Sequence, residues 1–105
     1  MIEKLNLTML TDFYEITMAN GYYCSGMADD IAYFDMFFRK VPDGGGYAIM
    51  AGLDQVIEYL ENLNFTDEDI EYLRSKKIFD EKFLGYLADF EFSCDVWAVP
   101  EGTPI

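Results

Sequence analysis

The chain has 105 residues, of which 51% are hydrophobic and 17% aromatic, so it can bury one hydrophobic core and does not have the composition of a disordered tail. Its 20 acidic and 7 basic residues give a formal net charge of −13, which disfavours binding to nucleic-acid backbones and to anionic membranes. There is no histidine, and Cys24 and Cys94 lack metal-ligand spacing, so Ser-His or Cys-His catalytic pairs within this chain are excluded and no metal site is predicted.

The first predicted element is a helix over residues 12–24. Thr11 or Asp12 can cap its N-terminus, and Phe13 and Ile16 begin an apolar face at helical spacing. Gly26 is the residue type that commonly ends a helix, so the helix is predicted to stop just before it.

A strand is predicted over residues 31–39, which are rich in aromatic and bulky side chains. Its alternation places on one face Ala32, Phe34, Met36 and Phe38, and on the other Tyr33, Asp35, Phe37 and Arg39. The first face is apolar and the second is mixed, which predicts a core on one side and a partly polar environment on the other. A loop containing three consecutive glycines, residues 44–46, then breaks the strand.

Three more helices and a second strand complete the predicted α+β fold. An apolar stripe predicts a helix over residues 48–63, and Thr66 begins a capping-box pattern that predicts a helix over residues 67–76. Asp80 can cap a helix over residues 80–89. Residues 90–99 alternate like a strand, and a turn follows. Because that strand has nothing after it to pair with, we expect residues 1–105 to be the N-terminal portion of a larger protein.

No stretch reaches the length of a membrane span, and residues 1–5 have neither a basic region nor an apolar signal core. The sequence therefore predicts a cytoplasmic protein with no membrane or nucleic-acid partner.

Two segments carry the side chains of a candidate binding site. Residues 10–18 place a carboxylate, Asp12, two positions before an aromatic ring, Tyr14. Residues 37–48 place two cations, Arg39 and Lys40, at the end of an apolar run just before the glycine loop. This combination suits a flat, charged, phosphate-linked ligand.

Four motifs in register resemble the N-terminus of the nicotinate phosphoribosyltransferase family. They are Leu-Thr-Asp-Phe-Tyr at 10–14 through Thr-Met at 17–18, Phe-Phe-Arg-Lys at 37–40 with Gly-Gly-Gly-Tyr-Ala at 44–48, Gly-Leu at 52–53, and Val-Pro-Glu-Gly-Thr-Pro at 99–104. The resemblance implies a type II phosphoribosyltransferase that joins nicotinate to 5-phosphoribosyl 1-diphosphate, with ATP hydrolysis and Mg²⁺, in NAD salvage. It further implies a head-to-tail homodimer in which a C-terminal barrel, absent from this segment, carries the catalytic histidine.

The resemblance also implies roles for individual residues, all of them in substrate binding and none catalytic. Tyr14 would stack on the pyridine ring of nicotinate across the dimer interface, and Asp12 would help to fix that end of the pocket. Arg39 would contact phosphate, with Lys40 adding positive potential. The glycines of the loop, Gly44, Gly45 and Gly46, would let backbone amides approach a ligand or a partner chain.

Alternative interpretations remain open at this point. Tyr14 can be a core or boundary residue, Asp12 a simple helix cap, and Arg39 a surface residue paired with Asp35. The whole segment can be a non-catalytic acidic α+β module that binds a protein partner. A relative that uses nicotinamide is a further alternative, because the residues that distinguish carboxylate from amide are not in this segment.

Overall fold

The computed structural model describes residues 5–105, and four α-helices form its regular structure. They are α1 (Phe13–Cys24), α2 (Leu53–Glu61), α3 (Asp67–Ser75) and α4 (Glu81–Ala88), with one 3-10 turn at Pro42–Gly44. The absence of a signal core was predicted from residues 1–5, of which residues 1–4 lie outside the described part. Within residues 5–105, no helix is both long and apolar enough to cross a membrane.

The hydrophobic core lies where α4 packs against α1 and α3. Apolar residues three or four positions apart give α3 and α4 one face each to bury, whereas α1 has apolar residues on all sides and buries Ile16 alone. The buried side chains are Ile16, Ile70, Leu73, Phe83, Leu84 and Leu87. Three helices therefore share one small core, as expected for a segment of this length.

Local capping fixes where α3 and α4 begin. Thr66 and Asp69 form a capping box: the Thr66 hydroxyl accepts from the Asp69 amide at 3.1 Å, and the Asp69 carboxylate accepts from the Thr66 amide at 2.9 Å. The Asp80 carboxylate accepts from the Lys82 amide at 2.8 Å, and the Asp80 amide donates to the Asn20 side chain of α1 at 3.1 Å. The helices predicted over 67–76 and 80–89 are confirmed to within a residue.

The helix predicted over 12–24 is confirmed as α1, and it ends at Cys24, two residues before Gly26, as predicted. Gly26 has φ +78°, its amide donates to the Tyr23 carbonyl at 3.1 Å, and the Met27 amide donates to the Tyr22 carbonyl at 2.9 Å. These two bonds are those of a Schellman motif, which satisfies carbonyls that the helix leaves open. At the other end Asp12 occupies the N-cap position, but its side chain makes no capping hydrogen bond.

The helix predicted over 48–63 is shorter than expected, because α2 begins only at Leu53 and ends at Glu61. Residues 48–50 instead pair antiparallel with residues 102–105 through four backbone hydrogen bonds of 2.7–2.9 Å. Gly52, at φ +100°, then turns the chain into the helix. A contact distant in sequence therefore removes the first turn that the apolar stripe predicted.

Neither predicted strand, over 31–39 or over 90–99, forms in the described part of the chain. A strand needs a neighbour to satisfy its backbone groups, and no segment within residues 5–105 lies beside either one as a ladder partner. The α+β prediction is thus confirmed only for its helices, and the fold of residues 5–105 is mainly helical.

Candidate functional site

Tyr14 lies in the first turn of α1 and projects into solvent. Its side chain is 57% exposed and belongs to no aromatic pair within the described residues. The neighbouring Glu15 carboxylate raises the pKa of Tyr14, first through hydrogen bonding and then through its charge, to which Asp12 adds. The phenol therefore stays protonated at neutral pH, and more than half of the residue is accessible to solvent.

Arg39 and Lys40 lie in the exposed segment just before the 3-10 turn. Within residues 5–105 neither side chain takes part in an ion pair or hydrogen bond, so the alternative pairing of Arg39 with Asp35 is not formed. Within the described residues, both cations are therefore free of carboxylate partners and available to an anionic ligand.

The glycine loop needs only one of its three glycines for backbone geometry. Gly44 has φ +65°, whereas Gly45 has φ −71°, and Gly46 lies outside the positive-φ region. A Cβ atom added at Gly45 would meet ordinary contacts at 3.6 Å or more, and one at Gly46 would meet open space. Asp43 shares the left-handed conformation at φ +59°, which aspartate tolerates better than most residues.

The structure does not bring the two halves of the candidate site together. Helix α1, which carries Tyr14, and the Pro42–Gly44 turn, which follows Arg39 and Lys40, make no contact with each other in residues 5–105. Arg39 and Lys40 themselves lie in no helix, and no hydrogen bond or ion pair within residues 5–105 joins either of them to Asp12 or Tyr14.

Sequence reasoning missed Glu101, which caps α2 from the far end of the chain. Its carboxylate accepts from the Gly52 amide at 2.8 Å and from the Leu53 amide at 3.1 Å. These two backbone bonds lower the pKa of Glu101. The sequence did contain an indication that α2 is capped by a distant residue. No Ser, Thr, Asp or Asn lies at the N-cap position of α2, so the first amides of that helix have no local side-chain acceptor.

We expect Glu101→Gln to lower the melting temperature at neutral pH, with an effect that depends on pH. The folded-state pKa of Glu101 is lowered, so its stabilisation is present above the ordinary range of a glutamate and is lost as pH falls through the folded value. The difference in melting temperature between wild type and variant should therefore shrink in acid. Glu91→Gln, at an exposed glutamate without a hydrogen-bond partner in the described residues, is the control, and a pH-independent difference would contradict the capping role.

Thr8 holds the segment that leads into α1. It is the one buried polar residue among those described, and its hydroxyl accepts from the Asn64 amide at 2.9 Å. Asn6 donates to the Asn64 carbonyl, also at 2.9 Å. Through these bonds the loop between α2 and α3 fixes the chain a few residues before Asp12 and Tyr14.

Most of this chain is similar in sequence to known proteins. Residues 9–105 match the N-terminal domain of nicotinate phosphoribosyltransferase (NAPRTase). The chain belongs to the nicotinate phosphoribosyltransferase family. It is 46% identical over 97 residues to a nicotinate phosphoribosyltransferase of Mycobacterium tuberculosis, 41% over 97 residues to one of Bacillus subtilis and 39% over 98 residues to one of Homo sapiens.

These alignments cover 92%, 92% and 90% of this chain, but only 21%, 20% and 18% of the relatives. The chain thus spans about a fifth of the length of the nicotinate phosphoribosyltransferases that it matches. All four motifs that carry the family resemblance lie within residues 9–105, including the segments of Tyr14, Arg39 and the glycine loop.

The described part of this nicotinate phosphoribosyltransferase segment does not fit a metal centre. Residues 5–105 contain no group of three or more Cys, Asp or Glu side chains placed to hold a metal ion. Its acidic side chains instead cap helices, as Asp69, Asp80 and Glu101 do, or lie in solvent. No chemical step through Mg²⁺ or ATP follows from these residues.

Proposed function

We propose that the complete protein joins nicotinate to 5-phosphoribosyl 1-diphosphate, with ATP hydrolysis, to give nicotinate mononucleotide and pyrophosphate. The observation that carries this proposal is the family match over residues 9–105, which contains every candidate site residue. This segment would contribute substrate-binding groups and no catalytic residue. A cytoplasmic location and an α+β fold of the complete N-terminal domain belong to the same proposal.

Tyr14 is the proposed stacking partner of the pyridine ring. An exposed phenol ring at the start of a helix can lie offset against a flat ligand, a geometry that contributes about 0.5–1.5 kcal/mol beyond area burial. Asp12 would repel the nicotinate carboxylate at close range. Its proposed role is to orient a cation from elsewhere in the pocket.

Arg39 and Lys40 are the proposed partners of the phosphoribosyl donor. A planar guanidinium can donate two parallel hydrogen bonds to a phosphate, and the lysine adds positive charge. Their exposure and their lack of carboxylate partners within residues 5–105 support this assignment. Gly44, whose φ is positive, would hold the loop in the shape that presents backbone amides beside them, with Gly45 and Gly46 leaving room for the ligand.

A composite site in a head-to-tail homodimer is the proposed way to complete the pocket. Helix α1 makes no contact with the Pro42–Gly44 turn in the described chain, which is compatible with one subunit's α1 and another's phosphate-binding segment facing the same ligand. Nicotinate, the phosphoribosyl donor and a second copy of the chain are the proposed partners.

The direct test is a pyrophosphate-release assay on the complete gene product with the phosphoribosyl donor, ATP and Mg²⁺. Release that depends on nicotinate supports the proposal. Release that depends on nicotinamide instead would assign the protein to an amide-using activity, and no release with either compound would overturn the catalytic proposal.

In the complete enzyme, Tyr14→Ala should raise the KM for nicotinate by about 2- to 12-fold, because the variant loses the stacking energy of the ring. Tyr14→Phe keeps the ring and should stay close to wild type. Tyr22→Ala removes a similarly exposed tyrosine later in α1 and serves as the matched control. Steady-state kinetics with nicotinate as the varied substrate makes the measurement, and an unchanged KM in Tyr14→Ala would remove Tyr14 from the site.

A further inference from the structure

The glycine loop, residues 44–46, has no side chains that could fix its position. Gly44 has φ +65°, and a Cβ atom added at Gly46 would meet open space. A glycine backbone without side-chain contacts has many accessible conformations, so ordering it around a ligand costs entropy. The arrangement of the loop amides therefore depends on how firmly the residues that flank the loop are held.

The C-terminal flank of the loop is held by a segment distant in the sequence. Four backbone hydrogen bonds of 2.7–2.9 Å join residues 48–50 to residues 102–105. The amides of Ala48 and Met50 donate two of them, and the opposite segment donates the other two. This antiparallel pairing, the loop anchor, begins only two residues after Gly46, so one end of the loop has a fixed position.

Glu101 lies at the end of the loop anchor. One of its carboxylate oxygens accepts from the Gly52 amide at 2.8 Å and the other from the Leu53 amide at 3.1 Å. The turn that carries Glu101 is itself closed, because the Thr103 amide and hydroxyl donate to the Pro100 carbonyl at 3.2 and 2.6 Å. The carboxylate thus ties the start of α2 to the same segment that holds the end of the glycine loop.

The loop folds back on its anchored end. The Gly45 amide donates to the Pro42 carbonyl at 3.2 Å. A Cβ atom built at Gly45 would lie 3.6 Å from that carbonyl oxygen and 3.8 Å from the carbonyl oxygen of Tyr47, the residue just before the anchor. We therefore expect a displacement of the anchor to move this turn, which follows the Arg39–Lys40 pair.

We propose that Glu101 is a positioning residue for donor binding: by tying α2 to the loop anchor, it holds the glycine loop in the arrangement that accepts the phosphates of 5-phosphoribosyl 1-diphosphate. The inference rests on the proposed function, which makes this donor the ligand of the loop. Glu101 touches no substrate, because backbone amides occupy both of its oxygens and its charge repels a phosphate. Its effect is to lower the entropy that the loop loses when the donor binds.

Calorimetric binding of 5-phosphoribosyl 1-diphosphate to the complete gene product tests this role without requiring turnover. Glu101→Gln keeps the shape of the side chain, but its NH₂ group cannot accept a hydrogen bond, so one of the two amides loses its acceptor. We expect the Kd of the donor to rise by about 5- to 10-fold, less than the effect of Arg39→Ala, because the guanidinium is still present. The Kd of nicotinate should change by less than about 2-fold, since the anchor holds the donor loop and not α1.

Thr66→Ala separates positioning from a general loss of stability. The Thr66 hydroxyl caps α3 by accepting from the Asp69 amide, so this variant also removes one helix cap, but away from the loop anchor. Its melting temperature should fall, as that of Glu101→Gln does, whereas its Kd for the donor should stay at the wild-type value. An equal rise of the Kd in both variants would mean that Glu101 acts only through stability, and would overturn the proposal.

Residue-resolved amide hydrogen exchange in the absence of ligand provides a second readout. In Glu101→Gln the amides of Ala48 and Met50 should exchange at least about 10-fold faster than in the wild type, because the anchor opens more often. In Thr66→Ala they should exchange at the wild-type rate. Unchanged exchange in Glu101→Gln would show that the anchor does not depend on Glu101, and would overturn the proposal.

Gly102→Ala disturbs the same turn without removing the carboxylate, and it provides the test if Glu101→Gln does not fold. Gly102 has φ +87°, which alanine disfavours, and a Cβ atom there would meet no other atom within 4 Å, so backbone strain is the only change. The Kd of the donor should rise by about 3-fold or more. A wild-type Kd in this variant would overturn the proposal.

The positioning role and the proposed function fail in different ways. If the wild type binds the donor but releases no pyrophosphate, the proposed reaction is overturned, and the Kd values of the variants still decide the role of Glu101. If the wild type releases pyrophosphate with nicotinate but Glu101→Gln binds the donor as tightly as the wild type, the positioning role alone is overturned. A wild type that does not bind the donor overturns both.

Discussion

Replacing Phe83 by alanine is expected to lower the unfolding free energy of this domain by about 3–5 kcal/mol, the range for deleting a buried phenylalanine ring. Phe83 is 1% exposed and lies at the centre of the core, with its ring centroid 5.8 Å from that of Tyr23 and 6.0 Å from that of Phe79. Its removal leaves a cavity between α1 and α4, and the helices can close it only by giving up other contacts.

Native-state hydrogen exchange at the amides of Ile70 and Leu73 measures this loss within the domain. Both residues are buried in α3, so their slowest exchange reports the opening of the shared core. Tyr72→Ala in the same helix removes an exposed ring and is the matched control. A loss of less than about 1 kcal/mol in Phe83→Ala would mean that the core is not the main source of stability.

Arg39→Ala in the complete enzyme is expected to raise the KM for the phosphoribosyl donor by about 10- to 140-fold. Hydrogen bonds to a charged group contribute about 1.5–3 kcal/mol, and the variant loses the guanidinium that would form them. Because Arg39 is exposed and makes no ion pair within residues 5–105, the change should leave the fold intact. Steady-state kinetics with the donor as the varied substrate makes the measurement.

Two further variants separate geometry from charge. Arg39→Lys keeps the charge but not the planar fork, so it should recover only part of the affinity. Arg74→Ala removes an exposed arginine of α3 that binds Glu71 and Glu81, and it should leave the KM unchanged. An equal effect of Arg39→Ala and Arg74→Ala would indicate a general loss of positive charge and not a site at Arg39.

The helices could be predicted where short-range signals fix them. The capping box of Thr66 and Asp69, the cap at Asp80 and the glycine after α1 act over a few residues, and each lies where the sequence placed it. The start of α2 could not be predicted in this way. Residues 48–50 pair with a segment more than fifty positions later, and local periodicity contains no information about such a partner.

The strand pattern of residues 31–39 was visible in the sequence, but a pattern alone does not supply neighbouring strands. Likewise, the sequence pattern alone does not establish that Tyr14 and Arg39 are exposed, nor which ligand they bind. Their proposed roles came from family resemblance, because a stacking ring and a phosphate-binding guanidinium are, before the ligand arrives, simply exposed side chains. Of the three glycines in the loop, the structure singles out Gly44 through its positive φ.

The contact between Glu101 and the start of α2 joins residues 49 positions apart and closes a long loop that contains α2, α3 and α4. Closing a loop costs entropy before its contacts form, so folding should begin inside it, at the locally capped α3 and α4. Packing of these helices shortens the distance that the chain ends must cross. The junction at Glu101 should therefore form late during folding, and its loss should mainly accelerate unfolding and leave the folding rate nearly unchanged.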